Sequence, residues 1–469
     1  MRTAGHSYPI MDADEIDLIV GGALRILNDM GMEIQNQPIL SHFAAHGWPV
    51  DFKASRVRFP ENKVIDYLRL MGRYQWANHI PHISSSAGVY HGRYLNPFEG
   101  TYENWTEKTL STYFGLAKSL SMISGASMLG CQIPVPPFVE PLYERYYCWK
   151  YGASECGSIY LDRLCPYIHE IYNVRASALA IPIEEVFTAN VFVIPHLKLG
   201  QHEAYQVQYF WERGLKVSIG GGMPSMGGTA PVTLAGAVTL NLAEQIALNL
   251  THWVLFATSG LHIESSISVL DMRTRIHPFG RPEMVMTNLM TAQLARYLGA
   301  TFSGHAGLTD AKAPSTEAGA QKMMTAIPTL LAGGSLWLDA GLLSADEVYS
   351  PIQMILDNEM LRALNHLTTT FSMNDEALSL DTIFNVGPGG HYMDQSQTVN
   401  YFRDTLWQPT IWSQQMFQSW SADGSYMDSD YARDYFQDFL TTQNDTSTMM
   451  SEDEEQAILK IINQAKTKI

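Results

Sequence analysis

Cysteine is scarce: Cys131, Cys148, Cys156 and Cys165 are the only four in 469 residues. So few cannot staple a chain this long, which sets aside a disulfide framework and leaves a reduced, cytoplasmic protein as the expectation. Cys148, Cys156 and Cys165 lie close together with His169 after them, yet no C-x-x-C pair occurs and the spacing fits no usual zinc knuckle. Buried structural thiols are expected, with a zinc site as the alternative. Charge is scarce as well. Charged residues make up 16% against 46% hydrophobic, which suits a large buried core and argues against disorder. Basic charge is the scarcer sign: 30 Lys and Arg face 47 Asp and Glu, a net charge of −17. That excludes the basic footprint of a nucleic-acid binder and disfavours an anionic membrane surface. No long apolar run is present either. The best stretch, 230–258, is broken by Asn241, Glu244, Gln245, Asn249 and His252 and predicts a buried helix rather than a membrane span. The opening MRTAGHSYPIMDADEID lacks the apolar centre of a signal peptide. Walker, nucleophile-elbow and H-E-x-x-H motifs are absent too.

What is present is a rhythm. Residues 12–75 predict three helices, the first capped by Asp12 or Asp14 and the third starting after Pro60. Residues 74–98 are short and aromatic around SSSAG and predict a small β-hairpin. From about 107, helices alternate with short apolar runs: ASMLGCQIPV, SECGSIYLD, VFTANVFVIP, LKVSIGGG, HIESSISV, ATFSG and GGSLWLDAG. An eighth run is expected near Phe384–Val386. Such runs suit parallel strands covered on both faces. The expected fold is therefore α/β, a (β/α)8 TIM barrel over 107–400, with an N-terminal helical and hairpin cap over 1–106 and a C-terminal helical extension over 401–469. The open doubly wound sheet is the alternative. It loses ground because Gly220–Gly222 and Gly227–Gly228 do not space as G-x-G-x-x-G, and the acid some 20 residues on, Glu244, falls in a helix. The tail SEDEEQAILKIINQAK predicts an amphipathic helix capped by Ser451.

Barrel chemistry sits at the C-terminal ends of strands. Those ends supply Tyr160 and Asp162, Pro195 and His196, Glu264, His305 and Asp310, and Trp337 and Asp339. The set is rich in rings and acids and poor in a compact metal triad, so no metal is expected. A quaternary ammonium has no N–H and is held by ring faces and carboxylates, each good ring giving about 0.5–2 kcal/mol. RYLNPFEGTYENW offers such a wall in Tyr94, Phe98, Tyr102 and Trp105. The GPGGHY turn offers glycine N–H groups at Gly389 and Gly390, with His391, as a nest for a carboxylate; an ordinary turn is the alternative.

Several stretches then resemble one family. SMGGTAPVTLAGAVTLNLAEQ (225–245), VLDMRTRIHPFGRPE (269–283), AGLTDAKAPSTEAGAQK (306–322), ILDNEML (355–361) and VGPGGHYMDQSQTVNYFRD (386–404) are similar, in order and spacing, to the trimethylamine methyltransferase family. The resemblance implies a barrel enzyme that moves a methyl group from an amine to cobalamin, a corrinoid carried by a separate partner protein. The trimethylamine enzymes carry pyrrolysine, whereas every residue here is standard. The resemblance therefore implies the non-pyrrolysine branch and a quaternary amine, glycine betaine first, with proline betaine, carnitine or trimethylamine as alternatives and a non-catalytic amine binder as another. With such a substrate, the contacts expected from the strand ends, the aromatic wall and the glycine turn are Gly389, Gly390, His391, Tyr94, Phe98, Tyr102, Tyr160, Glu264 and Trp337, and Asp310 and His305 are expected to face the corrinoid. A homo-oligomer is expected, with aromatic surface near 401–420 suited to subunit contacts. No side chain is expected to act as general acid or base, because a quaternary nitrogen leaves as a neutral tertiary amine.

Overall fold

A computed structural model describes residues 9–79, 83–89, 92–194, 196–442 and 448–469. Seven strands run parallel: Ile83–Val89, Gly125–Met128, Asn190–Val193, Ser218–Gly221, His262–Ser265, Thr301–His305 and Ser335–Asp339. They form two arcs. Five strands join in the order His262–Ser265, Thr301–His305, Ser335–Asp339, Ile83–Val89, Gly125–Met128, so the first strand of the series lies beside the last. Asn190–Val193 and Ser218–Gly221 form the second arc. Between the arcs, the Asn190 N–H donates to the Gly157 carbonyl at 2.9 Å without a ladder. Past the strand ends the arcs meet again, where Ser225–Met226 pairs in parallel with Ser268–Val269.

Helices follow the strands because their starts are written into the chain. Thr106, Ser315 and Ser350 each accept from the N–H three residues on, and Pro282 and Pro351 occupy first turns that need no N–H. Asp12 closes a reciprocal cap with Glu15 at the head of Ala13–Arg25, and Ser451 caps Glu452–Lys468. The latter docks on Cys165–Leu179 through Arg175–Glu454 at 2.8 Å. No helix among the described residues is long and apolar enough to cross a membrane.

Two expectations need correction. The segment read as a hairpin around SSSAG is a central strand, Ile83–Val89, paired with Ser335–Asp339 on one side and Gly125–Met128 on the other. Serines suggested a turn, but here they suit a sheet: the Ser85 hydroxyl donates to the Leu338 carbonyl at 2.9 Å. This strand precedes the expected border at 107. Only its sequel, Arg93–Leu95 against Tyr102–Glu103, is an antiparallel hairpin; Tyr90 and His91 lie outside the described residues. The eighth strand expected at Phe384–Val386 is part of the helix Leu380–Val386.

The five-stranded sheet has two unlike faces. One carries Ile263, Phe302, Leu336, Leu338 and Met128, all buried against helices. In-register partners share the other face: His262 with Thr301, Glu264 with Ser303 and Ser335, His305 with Trp337. That inner face is small, polar or titratable at nearly every position. Behind the bend after Asp339, Lys322 and Asp357 form a fully buried ion pair at 2.7 Å. Asp357 also accepts from the Gly341 N–H at 2.8 Å and from Gln353 Nε2 at 2.7 Å.

Candidate functional site

Glu264 stands on the inner face with its backbone held from behind: Asn241 Nδ2 donates to its carbonyl at 2.8 Å, and its N–H donates to Gln245 Oε1 at 3.3 Å. Burial raises its carboxyl above the usual range. His262, one step back on the strand, bridges the Thr301 and Ser303 hydroxyls, both at 2.9 Å. A cavity of about 780 Å³ opens beside it at the N-terminal ends of the strands, lined in part by Asn190, Ser218, His252 and Thr301.

His305 ends its strand in register with Trp337, with the Phe279 ring edge-on at 5.8 Å. Its Nδ1 is buried and meets no partner among the described residues. Burial pushes the imidazole down to about 4, so it is neutral at pH 7. A histidine lowered on folding contributes stability above its unfolded pKa, near 6.5, and loses it as pH falls through the folded value. Acidification from about pH 6.5 to 4 is therefore expected to remove about 2–3 kcal/mol. A His305→Asn variant should show a flatter stability profile across that window by thermal unfolding; an unchanged profile would place the acid sensitivity elsewhere.

A second pair was not legible as a pair. His196, read at a strand end, meets Glu244, read as a misplaced acid. The imidazole Nδ1 lies 3.0 and 3.1 Å from the two carboxylate oxygens, and the Leu197 N–H donates to Glu244 at 2.8 Å. Gly221 leaves room beside it: a Cβ there would stand 2.8 Å from Glu244 Oε1, so the carboxylate would have to shift. The other imidazole nitrogen, Nε2, lies 3.4 Å from the Thr229 hydroxyl. Phe192 was missed too. Its neighbours Val191 and Val193 are buried on the outer face, whereas Phe192 is 52% exposed and lies against Gly220 on the inner one.

The expected aromatic wall is divided. Tyr94 and Trp105 are buried together, 5.4 Å apart, in a cluster with Tyr113 and Tyr349. Phe98 turns to Phe436 at 6.0 Å. The Tyr102 hydroxyl donates to the Lys312 carbonyl at 3.0 Å, next to Asp310. Asp310 accepts from the Phe279 N–H at 2.8 Å and ties two strand-end loops together; burial raises its carboxyl. Tyr160 sits at φ +61°, a strained left-handed backbone of the kind found at functional sites, with its ring half exposed. Trp337 is placed by its backbone alone, and Pro195 lies outside the described residues. Gly389, Gly390 and His391 lie on an exposed turn, where His391 Nδ1 is 3.6 Å from Asp394. The thiols are buried or half-buried, and burial holds Cys131, Cys156 and Cys165 up at about 12. Among the described residues no three His, Cys, Asp or Glu side chains gather as metal ligands.

Parallel strands with flanking helices and a titratable inner face place the chain in the α/β class. The family model for trimethylamine methyltransferase (MTTB) matches residues 184–469, and the chain belongs to that family. It is 22% identical to trimethylamine methyltransferase MttB of Desulfitobacterium hafniense strain DCB-2, over 90% of this chain and 88% of that one. It is 26% identical to glycine betaine methyltransferase of Desulfitobacterium hafniense strain Y51, over 88% of each. Among solved structures it is similar to the monomethylamine methyltransferase MtmB of Methanosarcina barkeri, at 14% identity and a TM-score of 0.42, covering 93% of this chain and 96% of that one.

Proposed function

We propose that this chain transfers a methyl group from a quaternary amine, glycine betaine first, to Co(I) of a corrinoid carried by a separate protein, within a barrel closed between the two arcs. The observation that carries this reading is Glu264: a half-buried carboxyl on the inner face with no ion-pair partner among the described residues. A permanent cation supplies the missing charge without needing an acceptor for an N–H. Phe192 and Tyr160 offer half-exposed rings to the remaining methyl groups. The likeness to a glycine betaine methyltransferase over most of both chains supports the same substrate.

The reaction is an in-line displacement. The N–CH3 bonding pair stays on nitrogen, giving neutral-nitrogen dimethylglycine, while cobalt supplies the pair for the new bond. No proton moves, so the protein's part is orientation and exclusion of water. Rings that gripped the cation too tightly would slow the step, because its charge fades toward the transition state. His305 and Asp310 stand at the strand ends from which a corrinoid protein would approach. Asp310 already engages the Phe279 N–H, so its part is to fix that loop.

Purified chain, reduced cobalamin or a corrinoid protein, and single amines should show cobalt methylation with glycine betaine by visible spectroscopy. Methylation with trimethylamine alone would reject the quaternary substrate. Tight amine binding without methyl transfer to any acceptor would leave a binding protein.

A further inference from the structure

The fold leaves the segment 371–404 bare. Residues 371–404 form a helical hairpin, with Leu380–Val386 and Ser396–Thr405 as its main limbs and the GPGGHY turn at its tip. Neither limb buries a residue. The limbs touch through Tyr401–Glu376 and Gln397–Ser379. The base is anchored: Arg362 bonds to Gln408 and Thr410, and His366 to the Thr405 carbonyl. Beyond that base, Phe384 is 74% exposed and Met393 78%, joined by Phe371, Leu380, Val399 and Phe402. Isolated helices this short do not persist in water, and an apolar surface this dense marks an interface. The exposed side chains amount to on the order of 1,000 Å², enough for one side of a stable interface.

A matching surface lies at the strand ends of the same molecule. Ile194, Val232, Met272 and Ile276 are 63–69% exposed there. Arg273, Arg275 and Lys312 stand exposed among them in a chain that is otherwise acidic. The hairpin carries Asp375, Glu376, Asp381, Asp394 and Asp404 against Arg403 alone. Apolar surface meets apolar surface, and acid meets base.

We propose that the hairpin seats on the strand-end rim of a second copy of this chain, and that its tip brings Gly389, Gly390 and His391 to the neighbour's ligand. The ligand role of the tip rests on the function proposed above; the docking does not. In this arrangement the substrate site is shared, the cation being held by one barrel and its carboxylate by the other copy's glycine turn.

Light scattering and hydrogen exchange on the full chain test the docking. The expected result is an oligomer at micromolar concentration that Phe384→Asp dissociates into monomers that remain folded by circular dichroism, while exchange across 269–283 rises. A monomeric wild type, an oligomer indifferent to Phe384→Asp, or unchanged exchange at 269–283 overturns the proposal. Shared sites are tested by co-expressing His391→Ala with Glu264→Gln chains. Each variant alone should be inactive with glycine betaine, and the mixture should regain about a quarter of wild-type activity if copies pair reciprocally. An active His391→Ala chain, or a mixture as dead as its parts, overturns the shared site. A wild type that transfers no methyl group sinks the function proposed above and the tip's ligand role with it; mass and exchange then decide the docking alone.

Discussion

Replacing Asp357 by Ala is expected to cost about 3–5 kcal/mol of stability, because it strands the fully buried Lys322 ammonium without its counter-charge. The loss is not confined to one ion pair. Asp357 also receives the Gly341 N–H, so the bend after Asp339 loses its anchor. The double replacement Lys322→Met with Asp357→Leu should restore only part of the loss, since it removes the stranded charge but leaves the Gly341 N–H and Gln353 Nε2 without their acceptor. Denaturant titration of the three proteins checks this. A single-variant loss below about 1 kcal/mol would mean that the pair is not what holds the bend.

Glu264→Gln is expected to lower kcat/KM for glycine betaine by about 10²–10³-fold. That corresponds to about 3–4 kcal/mol for one carboxylate near one cation at the effective dielectric of a protein site. The variant keeps shape and hydrogen-bonding capacity, so a loss confined to cationic substrates identifies charge as the cause. The pH dependence has a definite sign. Burial raises the Glu264 carboxyl in the free protein. A carboxyl raised on folding contributes stability below its unfolded value, near 4.5, and loses it as pH rises through the folded value. Betaine binding needs the ionised form, so affinity should climb with pH over the same interval, and binding should release a proton. Calorimetry in buffers of different ionisation enthalpy reads that proton directly. Its absence, or equal kinetic losses for a neutral isostere of betaine, would remove Glu264 from the cation's surroundings.

Helices were legible because their signals are local. Glu452–Lys468 begins after a Ser cap and Glu61–Met71 after a Pro, and both were expected at those places. The strand Ile83–Val89 was not legible. Its serines and glycine imitate a turn, and what makes it a strand is its pairing with Ser335–Asp339, more than 200 positions away. The same limit governs the site. Glu264, His305 and Trp337 could be proposed because strand ends are predictable from rhythm, whereas the His196–Glu244 contact spans 48 residues with no spacing rule behind it. The expected aromatic wall is divided for a related reason. Composition counts rings, but only packing decides whether a ring is left open, as Phe192 is, or is buried against another ring, as Tyr94 is.

Leu338 and Ser85 touch across 253 positions of chain. During synthesis the early strand must therefore wait, unpaired at one edge, until most of the polypeptide has left the ribosome. A recombinant piece cut to the family-matched residues 184–469 would lack both Ile83–Val89 and Gly125–Met128. Its bare strand edge would invite aggregation, so expression trials belong on the whole chain and should gain from chaperone co-expression.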